Sequence, residues 1–211
     1  MPRVATSITL GVVAVLLTAL AVVAGTALRS ADDVDEPSAP VTAPPLPDLD
    51  TATMPVARAG FCAEVAETAV VEALGGDATD AVAYDDGELA RITPKVTDIA
   101  HEFGCRWDRK GATARAWVFA PPVTPARAEQ LIETARAGAT CRPIDGAPAF
   151  GSPSLALTCR TGKGPQVTFR GLFGDAWLVC SLNRRGDVAP VITAAERWCG
   201  AVLVAATPPS R

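Results

Sequence analysis

The sequence predicts an α+β domain, in which an antiparallel sheet packs with about three helices, preceded by one transmembrane helix. A long uncharged apolar run lies near the amino terminus, and only later does the chain show apolar residues at alternating or helical spacing. The alternating segments are joined by short turns, and connections this short require antiparallel pairing. Helices grouped with such a sheet make an α+β fold.

Residues 8–28 form the apolar run, with no charge in 21 positions. As a helix they would be roughly 31 Å long, about the thickness of a bilayer's hydrocarbon core. Arg3 precedes them, so we expect residues 1–7 in the cytoplasm and the rest outside, on a single-pass protein of the cell membrane. The alternative is a signal peptide cleaved near Gly25-Thr26-Ala27 and a secreted protein, but the run is longer than a usual signal h-region.

Residues 29–60 are expected to form a proline-rich, acidic linker. They contain six prolines, and six acidic residues against two arginines give a net charge of −4. So few large apolar side chains cannot offset the entropy of ordering the chain. The stretch is therefore interpreted as an extended spacer between the membrane and a domain at residues 61–206, with 207–211 as a tail.

The first half of the domain shows a helix and a hairpin. Residues 62–74 carry apolar side chains on one helical face and end at Gly75-Gly76. Residues 77–100 are acidic and lack the spacing of a calcium-binding loop, so we expect a solvated loop. Residues 103–107 and 115–119 alternate around the turn Arg109-Lys110-Gly111, which predicts a β-hairpin.

The second half begins with a helix that Thr124 caps and Pro125 starts. Residues 155–159, 167–173 and 178–182 then alternate as three strands. Asp187 is expected to cap the last helix. Its predicted inner face is Val188, Ile192, Ala195, Cys199, Val202 and Leu203.

Six cysteines in an exported domain, with no close C-x-x-C pair, predict three disulfides rather than a metal site. Six cysteines allow 15 connectivities. The faces on which they lie favour one of these, because each pair then joins neighbouring elements. The favoured pairs are Cys62–Cys105, Cys141–Cys159 and Cys180–Cys199.

Motifs for catalysis or cofactors are weak. His101 is the one histidine, and no nucleophile motif accompanies it, so we expect a surface residue. Asp85 and Asp86 are adjacent in the acidic region, where carboxylates are usually solvated. No cofactor is expected. Residues 61–211 carry a net charge of −1, which is unlike the basic footprint of a nucleic-acid binder.

One sheet face is a candidate binding surface. If the predicted inner faces meet the helices, the opposite face combines arginines with aromatic residues, a composition suited to a protein, glycan or lipid partner. Alternatively, a helix covers this face and the aromatic residues are core. The face comprises Arg115, Trp117, Arg170 and Trp177, with Phe119 and Val179 beside them.

Phe61-Cys62, Cys105-Arg106-Trp107 and Trp198-Cys199 carry a family resemblance. Over residues 61–206 the chain resembles a group of actinobacterial cell-envelope domains of unknown function, many of them lipoproteins. It is also similar in plan to the extracellular sensor domain of receptor serine/threonine kinases. The chain departs from both, because an apolar segment replaces the lipid-modified cysteine and only about seven residues precede it. The resemblance implies a sensory or accessory role in the envelope and transfers no catalytic residue.

These observations predict a membrane-anchored extracytoplasmic domain that binds a ligand or partner without catalysis. The alternatives are an envelope enzyme such as a hydrolase and a passive structural protein of the envelope. A deep pocket with at least three convergent polar side chains would favour the enzyme. A shallow apolar groove or flat patch would favour binding, and a well-covered surface with neither would favour the structural protein.

Overall fold

The computed structural model describes residues 43–93 and 95–208. The predicted cytoplasmic segment 1–7, the transmembrane segment 8–28, the linker up to residue 42 and the end of the tail lie outside these residues. The described chain forms an α+β unit with one large antiparallel sheet and three α-helices. The predicted α+β fold class is thus confirmed for the described domain.

Nine strands and three α-helices make up the part of the chain that the structure describes. The helices are α1 (Glu67–Leu74), α2 (Pro125–Arg136) and α3 (Val188–Ala206). The strands are β1 (Asp80–Tyr84), β2 (Leu89–Thr93), β3 (Val96–Ile99), β4 (Glu102–Arg109), β5 (Ala112–Phe119), β6 (Cys141–Pro143), β7 (Ser154–Thr161), β8 (Gly164–Phe173) and β9 (Ala176–Arg184).

Seven strands form the main sheet, in the order β1-β4-β5-β9-β8-β7-β6, and all neighbours are antiparallel. The predicted hairpin β4–β5 and the predicted meander β7–β8–β9 are both present. The pairing of β5 with β9 joins them into one sheet, with Ala116 opposite Cys180. Strands β2 and β3 form a separate hairpin.

We call the side of the main sheet that bears Ala114, Ala116, Leu178 and Cys180 the core face. Helices α1 and α3 pack on it, and its side chains are buried. Trp198 of α3 meets Trp107 of β4 edge to face, with ring centroids 5.4 Å apart. The opposite side, which bears Arg115, Trp117, Val179 and Ser181, we call the cleft face.

Three disulfides tie the elements together, and they are the three pairs that the sequence favours. Cys62–Cys105 joins the chain before α1 to β4, Cys141–Cys159 joins β6 to β7, and Cys180–Cys199 joins β9 to α3. Each pair therefore fixes an edge or a helix to the sheet. Among the described residues there is no free cysteine.

Helix α3 is long and apolar enough to cross a membrane by length and composition alone. Its buried side chains lie against the core face, and Cys199 is bonded to the sheet. We attribute its composition to this packing. The buried stripe differs from the prediction, since Val188 is 45% exposed and Trp198 and Ala194 are buried instead. Asp187 precedes the helix without a side-chain capping bond, whereas Thr124 does cap α2.

Residues 43–60, assigned to the linker by composition, pack on the domain. Leu46 is buried in the core, the Ala57 amide donates to the Ala206 carbonyl at 3.0 Å, and Arg58 pairs with Asp175 at 3.2 Å. The domain boundary at residue 61 is therefore wrong by about the length of this segment. The composition of this segment, rich in proline and acidic residues, does not predict that its few apolar side chains are buried. Leu46 is buried by contacts with distant elements, including α3.

Two further local predictions need correction. The first helix begins at Glu67, and residues Cys62–Glu64 form a 3-10 turn instead. The acidic region 77–100 contains strands β1, β2 and β3 rather than a loop. These strands are short and mostly exposed, so their sequence lacks the strict alternation that marks a half-buried strand.

Candidate functional site

Helix α2 covers only part of the cleft face. Its buried side chains Ala128 and Ile132 pack on strand residues near one end of the sheet, including Trp177 and Val179. The cluster that they form is apolar and closed. The rest of the cleft face carries no helix in the described chain, and this leaves a depression in the surface.

This depression is an open cleft of about 630 Å³. The β2–β3 hairpin forms one wall and the β7–β8 turn forms the opposite one. Between them, the floor consists of side chains from β4, β5, β9 and β8. The lining residues are Arg91, Ile92, Arg106, Asp108, Thr113, Arg115, Thr161, Lys163, Gln166, Ser181 and Asn183.

Strand register explains the polar floor of the cleft. Arg106 lies opposite Arg115, and Arg115 lies opposite Ser181. One step along, Thr113 lies opposite Asn183, which lies opposite Gln166. Because side chains alternate between the faces of a strand, all these residues share the cleft face. Two polar rows therefore lie side by side, one across β4, β5 and β9 and the other across β5, β9 and β8.

Arg115 lies at the centre of this arrangement. Its guanidinium carbon is 5.2 Å from the centre of the Trp117 ring, within the range of a cation–π contact. Its Nη2 donates to the Ile92 carbonyl at 3.0 Å, which links the hairpin to the sheet. Its Nε is buried, and no described residue accepts a hydrogen bond from it. Arg115 is thus positioned by the protein with donor capacity left over.

Arg106 is held by two carboxylates. Its Nε is 2.6 Å from Asp108 Oδ2, a close charge contact rather than an aligned hydrogen bond, and its Nη2 is 3.5 Å from Asp80. The Thr113 hydroxyl donates to Asp108 at 2.7 Å. The carboxylate nearest to the floor of the cleft is therefore already compensated by an arginine and a hydroxyl.

Asn183 fixes the opposite wall. Its Nδ2 lies 3.0 Å from the Thr161 hydroxyl, 3.2 Å from the Gly164 carbonyl and 3.1 Å from the Pro165 carbonyl. These bonds hold both sides of the β7–β8 turn, where Lys163 is exposed. The buried Asn183 side chain thereby fixes the turn that carries Lys163.

The cleft is electropositive. Four of its lining side chains are cationic and one, Asp108, is anionic. Asp80 lies just outside and pairs with Arg106. Arg91 and Lys163 are exposed and stand on opposite walls. The domain as a whole is close to neutral, so this excess of positive charge is a local feature of the cleft face.

Glu102 and Tyr84 lie beside Arg115 at the edge of the sheet. The Tyr84 hydroxyl donates to Glu102 Oε1 at 2.6 Å. Burial raises the pKa of the Glu102 carboxyl, while the Tyr84 hydrogen bond and the charge of Arg115 act in the opposite direction. Burial, aided by Glu102, raises the pKa of Tyr84. Gly104 lets the tyrosine ring lie over β4, because a Cβ there would collide with that ring.

The four residues of the predicted binding face share the cleft face, but they differ in exposure. Arg115 lines the cleft and Trp117 is half-buried beside it. Trp177 is buried under α2, which fits the alternative that a helix covers the aromatic residues. Arg170 is half-buried, its Nε lacks a described partner, and burial lowers the pKa of its guanidinium. The use of the face in binding stays a prediction.

Several lining residues were missed from the sequence, chiefly Arg91, Arg106, Lys163, Ser181 and Asn183. The available signal was two polar residues at alternate positions near one end of each strand, Arg106 and Asp108 in β4 and Ser181 and Asn183 in β9. That these positions lie near one another follows only from the pairing of β5 with β9.

The rejected catalytic candidates are exposed. His101 Nδ1 is 3.9 Å from Asp86 Oδ1, and 80% of its side chain is accessible. The Asp85 carboxylate forms no salt bridge with a described residue, and the backbone amide of Asp85 donates a hydrogen bond to Glu88 Oε2. Within the same residues, no group of three His, Cys, Asp or Glu side chains is placed to hold a metal ion.

Comparison of the sequence with protein-family models and with curated proteins finds no match. The resemblance to actinobacterial envelope domains therefore stays a prediction from the sequence.

Proposed function

We propose that this protein is a binding module of the cell envelope, anchored by residues 8–28 with its domain outside the cytoplasm, and that it binds its ligand in the cleft without catalysing a reaction. The observation that carries the proposal is the incomplete cover of the cleft face. Ligand sites are concave and orient their ligands through convergent polar groups, and the open part of the cleft face has both features.

An exported location is supported by the disulfides. Three buried or half-buried pairs are typical of proteins that fold in oxidising compartments. A carboxyl-terminal alkaline phosphatase fusion, which is active only outside the cytoplasm, should therefore be active. An inactive fusion would contradict the exported location.

A binding role is favoured over hydrolysis by the chemistry of the cleft. Its convergent groups are mostly cations and neutral hydrogen-bonding side chains, which suit recognition of a ligand. Its one carboxylate, Asp108, is already occupied by Arg106 and Thr113. A general base is most often an imidazole or a carboxylate that is free to accept a proton, and the described lining offers neither. The convergent polar side chains meet one part of the criterion given above for an enzyme, but the cleft is open rather than deep.

Photo-crosslinking in whole cells tests where the protein binds. A photoreactive residue would replace Gly162, which is exposed beside Lys163 with open space around it, or, as the matched control, Arg127, which is exposed on α2. We expect an adduct of defined mass on the full-length chain from position 162 and not from position 127. No adduct at position 162, or equal labelling at both positions, would contradict binding in the cleft.

A further inference from the structure

We infer that the ligand of the cleft is a phosphate-bearing polyol, such as a sugar phosphate or the headgroup of a phospholipid. The inference rests on the proposed function and names the chemical class that the same cleft would take. It is argued from the charge, the neutral polar groups and the size of the cleft.

The charge of the cleft favours an anion with more than one charged oxygen. Arg91 and Lys163 stand on opposite walls, with Arg115 on the floor between them. A ligand at the centre can therefore be approached from several directions by cations. Guanidinium groups match the geometry of phosphate oxygens, and a lysine adds a mobile point charge.

Arg115 supplies the donor best suited to this role. It is fixed by the Trp117 ring and the Ile92 carbonyl, so little conformational entropy is lost when a ligand binds. Glu102 lies on its other side, where burial works against the carboxylate charge. The floor of the cleft therefore keeps a preorganised cation that is only partly neutralised.

The neutral groups favour a polyol attached to the anion. Thr113, Asn183 and Gln166 form one row between the cationic walls, and Ser181 lies beside it in the next row. Gln166 and Ser181 can both donate and accept hydrogen bonds, as the hydroxyls of a sugar or glycerol require. The donors of Thr113 and Asn183 are used by Asp108 and by the β7–β8 turn, so these two side chains offer acceptor oxygens. A site for inorganic phosphate alone would need donors only.

The size of the cleft agrees with a small organic ligand. Its volume of about 630 Å³ lies within the range of roughly 300–1,000 Å³ found for small-molecule sites. Phosphate alone would leave most of this space empty. A phosphorylated hexose or a glycerophosphate headgroup would reach from the cationic wall at Lys163 towards Arg115.

The test is titration of the full-length chain in a neutral detergent with glucose 6-phosphate, glycerol 3-phosphate, inorganic phosphate and glucose. The cleft variant carries Arg91→Gln and Lys163→Gln. The matched control carries Arg127→Gln and Arg136→Gln, which remove the same charge from the exposed side of α2. All four positions are exposed, so both variants should fold.

We expect a phosphorylated polyol to bind more tightly than glucose or inorganic phosphate. The cleft variant should lose about 10-fold in affinity, equivalent to about 1.4 kcal/mol, and the control should bind like the wild type. Equal binding by cleft variant and wild type would overturn the inference, as would a preference for glucose or for inorganic phosphate. No binding of any phosphorylated probe or of short-chain phosphatidylglycerol would also overturn it.

Short-chain lipids distinguish the two sources of the ligand, because a full-length chain anchored by residues 8–28 would enter vesicles of any composition. Dihexanoyl phosphatidylglycerol and dihexanoyl phosphatidylcholine would be added to the same titration in neutral detergent. Binding that needs the phosphatidylglycerol headgroup and the cleft cations supports a lipid headgroup, whereas binding of the free probes alone supports a soluble polyol phosphate. A crosslinked adduct at position 162 without any dependence on phosphate would overturn this inference and leave the proposed function standing.

Discussion

Arg115 connects more parts of the cleft than any other side chain discussed above. It contacts Trp117 on its own strand, holds the hairpin through the Ile92 carbonyl and acts on the charge of Glu102. A substitution of Arg115 would therefore change the structure and the ligand site together. For this reason the neighbouring carboxyl, Glu102, is the sharper probe of the local electrostatics.

Glu102→Gln should stabilise the protein increasingly as the pH rises. The raised pKa means that the folded state keeps the proton while the unfolded state loses it near its ordinary pKa of about 4.3. Stability from this group is therefore present below that pH and is lost as the pH rises through the folded-state pKa. Glutamine keeps an oxygen that accepts from Tyr84 and does not ionise.

The measurement is chemical denaturation of both proteins between pH 4 and pH 7. We expect the difference in stability, variant minus wild type, to grow with pH over this range. Tyr84→Phe provides the second variant, because it removes a hydrogen bond that lowers the pKa of Glu102. The stability of Tyr84→Phe should therefore fall more steeply with rising pH than that of the wild type. A pH-independent difference for Glu102→Gln would show that the buried carboxyl is not destabilising.

At the level of secondary structure, the sequence predicts the elements whose side chains alternate strictly or keep a helical period. The hairpin β4–β5, the meander β7–β8–β9, α2 and α3 all fall in this class. Strands β1 to β3 were missed because most of their described side chains are exposed and only Tyr84 and Ala90 are buried, which is too few to mark a face in the sequence. Local sequence periodicity reports burial, and an exposed strand leaves little trace of it.

The cleft could be predicted only in part for a different reason. Its floor needs β5 beside β9, a pairing between residues 60 to 72 positions apart in the sequence. Local pattern indicates which face of each strand is polar, but not which strands adjoin. Arg115 and Trp117 could therefore be found as candidates, whereas the rows that connect them to Ser181 and Gln166 could not.

The disulfides allow a matched comparison between elements. Cys141–Cys159 and Cys180–Cys199 close loops of nearly equal length, with sequence separations of 18 and 19. The chain-entropy model gives about 3 kcal/mol for each. Cys180 and Cys199 are both fully buried, so replacing them with alanine also leaves a cavity between α3 and the sheet.

We therefore expect the Cys180→Ala/Cys199→Ala variant to lose roughly 1–2 kcal/mol more than the Cys141→Ala/Cys159→Ala variant. Urea denaturation followed by tryptophan fluorescence measures both, because Trp198 lies next to Cys199 in the core. Equal losses would mean that the core closes around the missing sulfurs. A larger loss from the β6–β7 pair would contradict the packing of α3 described here.

At the scale of the whole molecule, residues 43–60 decide where the domain begins. They add a buried leucine, a backbone bond to the end of α3 and an ion pair to the β8–β9 turn. If they are part of the cooperative unit, the domain begins near residue 43 and not at residue 61.

Gly200→Ala tests this boundary, because docking of residues 43–60 on α3 would reverse the usual sign of its effect on stability. In an ordinary helix interior, alanine in place of glycine is stabilising by about 1 kcal/mol. Gly200 lies in the middle of α3, where an added Cβ would collide with the Pro44 carbonyl and press on the Leu46 amide. We therefore expect Gly200→Ala to destabilise the full-length protein.

Leu46→Ala should likewise cost about 2–3 kcal/mol, while Leu89→Ala, at a leucine that is 73% exposed, should stay within about 0.5 kcal/mol of the wild type. Denaturation midpoints measure all three variants. A stabilising Gly200→Ala together with a neutral Leu46→Ala would mean that residues 43–60 do not dock on α3 in solution. The domain would then begin near residue 61, as its composition alone indicates.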